Sequence, residues 1–218
     1  MHKVRLKGTS KTFRVGKIVC LARNYSEHIK ELGNAVPEKP VLFIKPASSI
    51  IGHREAVIIP TISQNCQHEV ELALLIGKWG KNITAKDALG HVAGYGVALD
   101  MTLRDVQTEL KQKGLPWEIA KGFDTACPLS DFVPAAEVGD PQNLRITLKI
   151  NEQLRQDGNT AQMMLRIPEI IQAVSEIFTL EEGDVILTGT PSGVGTVRSG
   201  DRMQAEIEKV GCLEIPVQ

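Results

Sequence analysis

The sequence has few cysteines, no long apolar run and almost no net charge, and each shortage removes a class of function. Four cysteines in 218 residues, Cys20, Cys66, Cys127 and Cys212, stand apart with no paired spacing. That excludes a zinc ribbon or a disulfide framework and fits a reducing, cytoplasmic setting. No apolar stretch approaches the ~20 residues that a bilayer-spanning helix needs, so no membrane partner is expected. The first residues, Met1 to Phe13, are polar and basic without an apolar centre, and do not read as a secretory signal. Lys and Arg number 25 against 26 Asp and Glu, a formal net charge of −1. Nucleic acid and other polyanions are therefore not expected partners. Internal repeats and low-complexity segments are absent too. A chain of this length can build one sizeable core.

What the sequence does have is punctuation. Nineteen glycines and eleven prolines fall mostly singly, at turn-like positions, as in a strand-rich enzyme with many loops. Residues 1–15 read as an arm or leader strand. Apolar or alternating runs predict strands over 17–21, 41–46, 56–60, 67–77, 92–100 and 144–150. Asn151-Glu152 turns the last of these into a hairpin with 153–156. Further strands are expected after Gly183 and over 203–208 and 212–217. Short helices are expected over 24–33, capped by Asn24 with Glu27 completing a capping box, and from Thr102 to Gly114. A third runs from Pro168 to Phe178, with Ile170, Ile171, Val174, Ile177 and Phe178 on its apolar face.

The candidate chemistry lies at strand ends and on these helices. In Gln67-His68-Glu69-Val70-Glu71-Leu72-Ala73-Leu74-Leu75-Ile76-Gly77, Glu69 and Glu71 share one face of a strand whose second half is apolar throughout. Two neighbouring carboxylates at the mouth of a buried strand either stay in water or hold a cation. Oxygen-only ligands favour a hard divalent ion. Asp100 ends the next apolar strand and is placed to complete a three-carboxylate set. His28 and Glu31 stand three apart on the first helix, where a carboxylate orients an imidazole as a proton acceptor. An exposed surface pair is the plainer reading of the same spacing. Arg104 and Gln107, also three apart, either face a ligand or form a solvated face. Lys121 lies among small and apolar residues, which raises its chance of pointing inward. Thr190 sits in the Gly-rich loop that ends the strand expected after Gly183. No Gly-Lys-Ser/Thr and no helix follows that loop, so it is not a phosphate loop.

Together these pieces resemble the fumarylacetoacetate hydrolase superfamily. The resemblance rests on Arg23-Asn24-Tyr25-x-x-His28-x-x-Glu31, Leu42-Phe43-Ile44-Lys45-Pro46, Glu69-Val70-Glu71-Leu72, Leu99-Asp100-Met101-Thr102 and Leu187-Thr188-Gly189-Thr190-Pro191-x-Gly193-Val194-Gly195. Gly114-Leu115-Pro116-Trp117, with Lys121 and Cys127-Pro128, is similar to the short single-domain subgroup of acylpyruvate hydrolases and oxaloacetate decarboxylases or tautomerases. The resemblance implies an α+β, mainly β fold, a roll of mixed sheets with a few short helices, with one catalytic domain over 16–218, usually in homodimers. It implies Mg²⁺, or Mn²⁺, held by Glu69, Glu71 and Asp100. It makes His28 and Glu31 a catalytic dyad on a lid helix, Lys121 an active-site lysine, and Arg23, Gln107 and Thr190 substrate contacts. One departure stands out: the family commonly has Gly before Arg-Asn-Tyr, and here it is Ala22. If that position requires φ > 0, Ala22 is strained.

The implied reaction is metal-dependent cleavage of acylpyruvate-type 2,4-dioxo acids to pyruvate and a carboxylic acid. Oxaloacetate decarboxylation or tautomerisation would proceed by the same enolate chemistry. One alternative is an isomerase or hydratase of unsaturated 2-hydroxy dioates. Another, from a different class, is a non-catalytic dicarboxylate-binding protein, which would have no need of the dyad.

Overall fold

The computed structural model describes residues 2–33 and 35–218; Met1 of the expected arm lies outside them. The chain opens with β1 (Lys3–Arg5) and β2 (Thr12–Arg14), an antiparallel hairpin. Then follow β3 (Lys17–Ala22), α1 (Ser26–Glu31), β4 (Val41–Pro46), β5 (Ile50–Ile51), β6 (Cys66–His68), β7 (Val70–Ile76), β8 (Val92–Leu99) and β9 (Thr102–Leu103). The middle of the chain forms α2 (Arg104–Gln112), α3 (Glu118–Lys121), β10 (Cys127–Pro128), β11 (Val133–Pro134) and α4 (Ala135–Val138). The last part gives β12 (Arg145–Ile150), β13 (Gln153–Asn159), α5 (Ile167–Ile177), β14 (Val185–Leu187), β15 (Gly195–Thr196), β16 (Arg202–Ile207) and β17 (Gly211–Pro216). The fold is α+β and mainly β, as expected.

Two sheets carry the architecture. A six-stranded mixed sheet has the order β11-β8-β7-β14-β3-β4, and its β14–β3 pair is parallel. A four-stranded antiparallel sheet has the order β13-β12-β16-β17 and packs across β7 and β8. The unbroken apolar run in β7 now has its reason: both faces are buried. Val70, Leu72, Leu74 and Ile76 face the main core with Ile146, Leu148, Met203 and Leu213. Ala73 and Leu75 face a second core, which the hairpin closes with Val4, Leu6 and Phe13. Burying such side chains contributes about 1.5–3 kcal/mol each.

Several expectations need correction. The strand expected over 67–77 breaks at Glu69, because β6 belongs to a small sheet, β15-β6-β9, and β7 to the large one. The run 56–60 makes only a bridge, Val57 to Val217. Val57 is buried, whereas Ile58 is 56% exposed, and Pro60 has no N–H to donate. Thr102 does not cap α2; it lies in β9 and its hydroxyl donates to Asp100 O at 3.1 Å. In α5, Ile170, Ile171 and Val174 are buried, but Ile177 at the end of the helix is 61% exposed.

One buried side chain ties the sheets together where they meet. Gln156 of β13 is fully buried. Its Oε1 accepts from Val70 N at 3.1 Å and lies 3.0 Å from His68 Nδ1. Its Nε2 donates to Thr190 Oγ1 and Pro191 O, both at 2.8 Å. Gln156→Leu would leave the Val70 N–H and its neighbours without partners inside the protein. The expected loss is about 2–4 kcal/mol, from buried groups worth ~1–3 kcal/mol each when left unpaired. Urea unfolding checks this, and an unchanged midpoint would contradict it.

Candidate active site

The break at Glu69 is what builds the site. Where the chain passes from one sheet to the other, Glu69 and Glu71 both turn toward Asp100, just past the end of β8. The Asp100 N–H donates to Glu69 O at 2.8 Å, fixing the two strand ends to each other. One oxygen from each of the three carboxylates lies within 4.8 Å of the others, and all three residues are buried.

Three cations are packed around these carboxylates. Lys121 Nζ donates to Glu69 Oε2 at 2.9 Å and to Asp100 Oδ2 at 2.6 Å. Lys45 Nζ lies 2.8 Å from Asp100 Oδ1. Arg104 pairs with Glu69 Oε1. Burial opposes ionisation of Glu69, but the charges of Lys121 and Arg104 hold its carboxyl well below the usual range. Burial likewise works against the Lys121 ammonium, and Asp100 and Glu69 raise it above its ordinary value. Glu71 is the exception. Its Oε2 accepts from the Gly189 N–H at 2.6 Å, and burial plus the charges of Asp100 and Glu69 push its carboxyl well above the ordinary range. The residues therefore fit a hard divalent cation: three converging oxygen ligands with no sulfur or imidazole among them.

His28 and Glu31 meet on one face of α1, as their spacing predicts. His28 Nδ1 lies 3.1 Å from Glu31 Oε2, and His28 is buried. The other oxygen, Glu31 Oε1, accepts from Gly193 N at 2.9 Å. Gly193 has φ 98°, and a Cβ there would stand 2.1 Å from Arg155 O, so only glycine fits. The capping box is not formed. Tyr25 is the N-cap of α1, and Glu27 pairs with Lys30 in solvent. Asn24 instead anchors the base of the helix, donating to Leu165 O and Thr188 O and accepting from Leu165 N. The expected strain at Ala22 is displaced by one residue. Ala22 ends β3, and Arg23 carries the positive φ, 60°. A non-glycine residue held there stores about 1–3 kcal/mol.

The remaining candidates line the same cavity. Arg104 donates from Nε to Gln67 Oε1 and from Nη1 to Gln107 Oε1, both at 2.7 Å. Arg23, Gln107, Lys121 and Thr190 all border the space in front of the carboxylates. The Thr190 hydroxyl is committed to the scaffold, donating to Val70 O at 2.7 Å and accepting from Gln156. The cavity itself is only about 40 Å³.

With this geometry in view, the comparisons are direct. Residues 17–218 match the fumarylacetoacetate (FAA) hydrolase C-terminal family. The chain belongs to the fumarylacetoacetate hydrolase family. It is 51% identical to the oxaloacetate tautomerase YcgM of Escherichia coli strain K12, covering 90% of each chain. It is 48% identical to the mitochondrial oxaloacetate tautomerase FAHD1 of Bos taurus, over 92% of this chain and 91% of that one. The fumarylpyruvate hydrolase of Pseudomonas aeruginosa, solved in complex with Mn²⁺ and pyruvate, superposes with a TM-score of 0.95 at 36% identity, covering 99% of this chain and 95% of that one. The protein is thus an enzyme of a hydrolase and tautomerase family. No helix among the described residues is long and apolar enough to cross a membrane.

One family-motif residue had no role in the sequence reading. Lys45 is fully buried; it donates to Met101 O at 3.1 Å and to Ala126 O at 3.0 Å, and also to Lys121 O. A lysine inside the apolar run Val41–Pro46 was the available signal. Lys45→Met should destabilise the protein by about 3–5 kcal/mol, because it strands the buried Asp100 carboxylate and these carbonyls. Denaturant titration measures the loss. A shift below ~1 kcal/mol would show that Asp100 does not depend on Lys45.

Proposed function

We propose that this protein catalyses divalent-metal-dependent reactions of 2-oxo acids through the substrate's enolate, with hydrolytic C–C cleavage of acylpyruvates as the leading activity. The observation that carries this reading is the convergence of a three-carboxylate cation site and a carboxylate-oriented histidine on one small cavity. Glu69, Glu71 and Asp100 would hold the cation, Mg²⁺ or Mn²⁺. When bound, it would supply Lewis-acid polarisation of the 2-oxo acid.

The chain's own residues account for the proton movements. With Nδ1 turned to Glu31, His28 presents Nε2 as its acceptor. In hydrolysis, Nε2 takes a proton from water and the hydroxyl adds to the distal carbonyl. The C–C bond then breaks, its electron pair passing to the pyruvate fragment as an enolate, which takes up a proton. Lys121 has three N–H donors, two of them on Glu69 and Asp100, and the third would stabilise the oxyanion. Arg23 and Gln107 contact the substrate, and Thr190 shapes the wall it rests against. Movement of α1 or of the lining side chains would widen this narrow cavity as a 2-oxo acid enters.

The kinship with oxaloacetate tautomerases supports a second activity at the same site. Keto–enol exchange moves one proton between C3 and the 2-oxygen and needs no water, and decarboxylation likewise leaves an enolate. A homodimer in the cytoplasm remains part of the proposal.

Glu69→Ala should abolish Mg²⁺ binding and turnover together. Calorimetry showing unchanged Mg²⁺ affinity would remove Glu69 from the site. His28→Ala should keep the fold and the metal but lose acetylpyruvate hydrolysis by about 10²–10⁴-fold. Assayed beside oxaloacetate, the same variant separates the activities. Full retention of hydrolysis would take the dyad out of the mechanism.

A further inference from the structure

Lys121 is held by more than two carboxylates, and the further contact is aromatic. Its ammonium stands over the Phe43 ring, 4.9 Å from the centroid. That lies inside the ~6 Å at which the quadrupole of a ring attracts a cation. The Phe43 ring in turn packs on Trp117, with centroids 5.9 Å apart and planes tilted by 55°. Trp117 precedes α3, and its carbonyl accepts from Lys121 N at 3.0 Å. The contacts therefore close on themselves: Lys121 to Phe43, Phe43 to Trp117, Trp117 back to Lys121. On β4, Phe43 and Lys45 are two apart and point to the same side. Lys45 Nζ donates to Lys121 O, so β4 grips the lysine at its carbonyl and at its ammonium. α3 has only four residues, and a helix that short does not hold its own position. Phe43, Trp117 and Lys121 all border the cavity in front of the carboxylates.

An aromatic face does something here that a third carboxylate would not. A carboxylate would neutralise the ammonium and compete for its last N–H. A ring attracts the charge but accepts hydrogen bonds only weakly. The third N–H can then pass to an oxyanion at little cost while the ammonium stays in place. We propose that Phe43 is a positioning residue: its ring holds Lys121 between Glu69, Asp100 and the cavity, so that the ammonium meets the oxyanion as it forms. This rests on the reading of Lys121 above as the donor to that oxyanion.

The test varies the electron density of the ring at nearly constant shape. Phenylalanines with successively more ring fluorines, placed at position 43, should lower kcat for acetylpyruvate hydrolysis step by step. The last should fall about 2- to 30-fold below wild type with KM little changed. Phe43→Leu should lose a similar factor, and Phe43→Tyr should recover most of the rate. A flat fluorine series overturns the proposal, because a ring that served only as packing would not respond. Lysine labelled with ¹³C at Cε gives a readout free of turnover. In the Mg²⁺-loaded protein the Lys121 signal, identified by its loss in Lys121→Arg, should lie upfield under the ring and move downfield in Phe43→Leu. A signal that stays put also overturns the proposal. A signal that moves in a protein hydrolysing no acylpyruvate supports the aromatic hold on Lys121 and sinks the hydrolytic reading instead.

Discussion

Everything in this protein's site depends on burying three carboxylates at one point. Two unit charges 4 Å apart repel by about 4 kcal/mol even at an effective dielectric constant near 20. Lys45, Lys121 and Arg104 offset that repulsion for Asp100 and Glu69. Glu71 receives a backbone N–H rather than a cation. The protein has thus distributed its positive side chains unequally. The carboxylate with least compensation is the one whose ionisation a divalent ion would promote most. That asymmetry is what the proposed cation site would use, since a fully self-neutralised salt-bridge cluster would leave no carboxylate for an ion to stabilise.

The scaffold pays for this by being stiff where the carboxylates emerge. The chain changes sheet at Glu69, so Glu69 and Glu71 are positioned by different hydrogen-bond ladders. Gln156 bridges that change from a third direction, and its amide also fixes Thr190 and Pro191 in the loop that presents Gly189 to Glu71. The geometry of the site therefore rests on a side chain that lines no part of it. A buried amide with both ends satisfied costs little to keep and much to remove, the asymmetry expected of buried polar groups.

How much of this was legible in the sequence differs by residue. Period-two patterning and apolar runs locate β7, β8 and the β12–β13 hairpin, because those signals are local. The Glu69–Glu71 spacing and the strand-terminal Asp100 point to the carboxylate cluster for the same reason. The break at Glu69 is invisible locally, since β-forming residues flank it on both sides and partner choice decides it. Asn24 reads as a cap from its position, yet tertiary contacts with Leu165 and Thr188 claim its side chain. Ala22 draws attention by departing from a family glycine, while the positive φ belongs to Arg23. Lys45 was signalled by the apolar run around it, whereas Gln156 is an ordinary residue type in a strand and only its burial reveals its work.

The lid adds a final constraint. Glu31 uses one oxygen to orient His28 and the other to accept from Gly193, so a single carboxylate both aims the base and latches the helix. α1 has only six residues and would be marginal on its own, so its position depends on such contacts. If α1 lifts, Glu31 leaves Gly193, and the short helix that sets the His28–Glu31 spacing loses its hold. Under the proposed mechanism, closing the site and arming the base would then be one event, not two. Arg23, at the strained hinge of the same segment, also lines the cavity, so a ligand that engages it acts on the hinge directly. Under the proposed mechanism, water activation would thereby be confined to a closed site, where the surrounding charges act at full strength in a low-dielectric space.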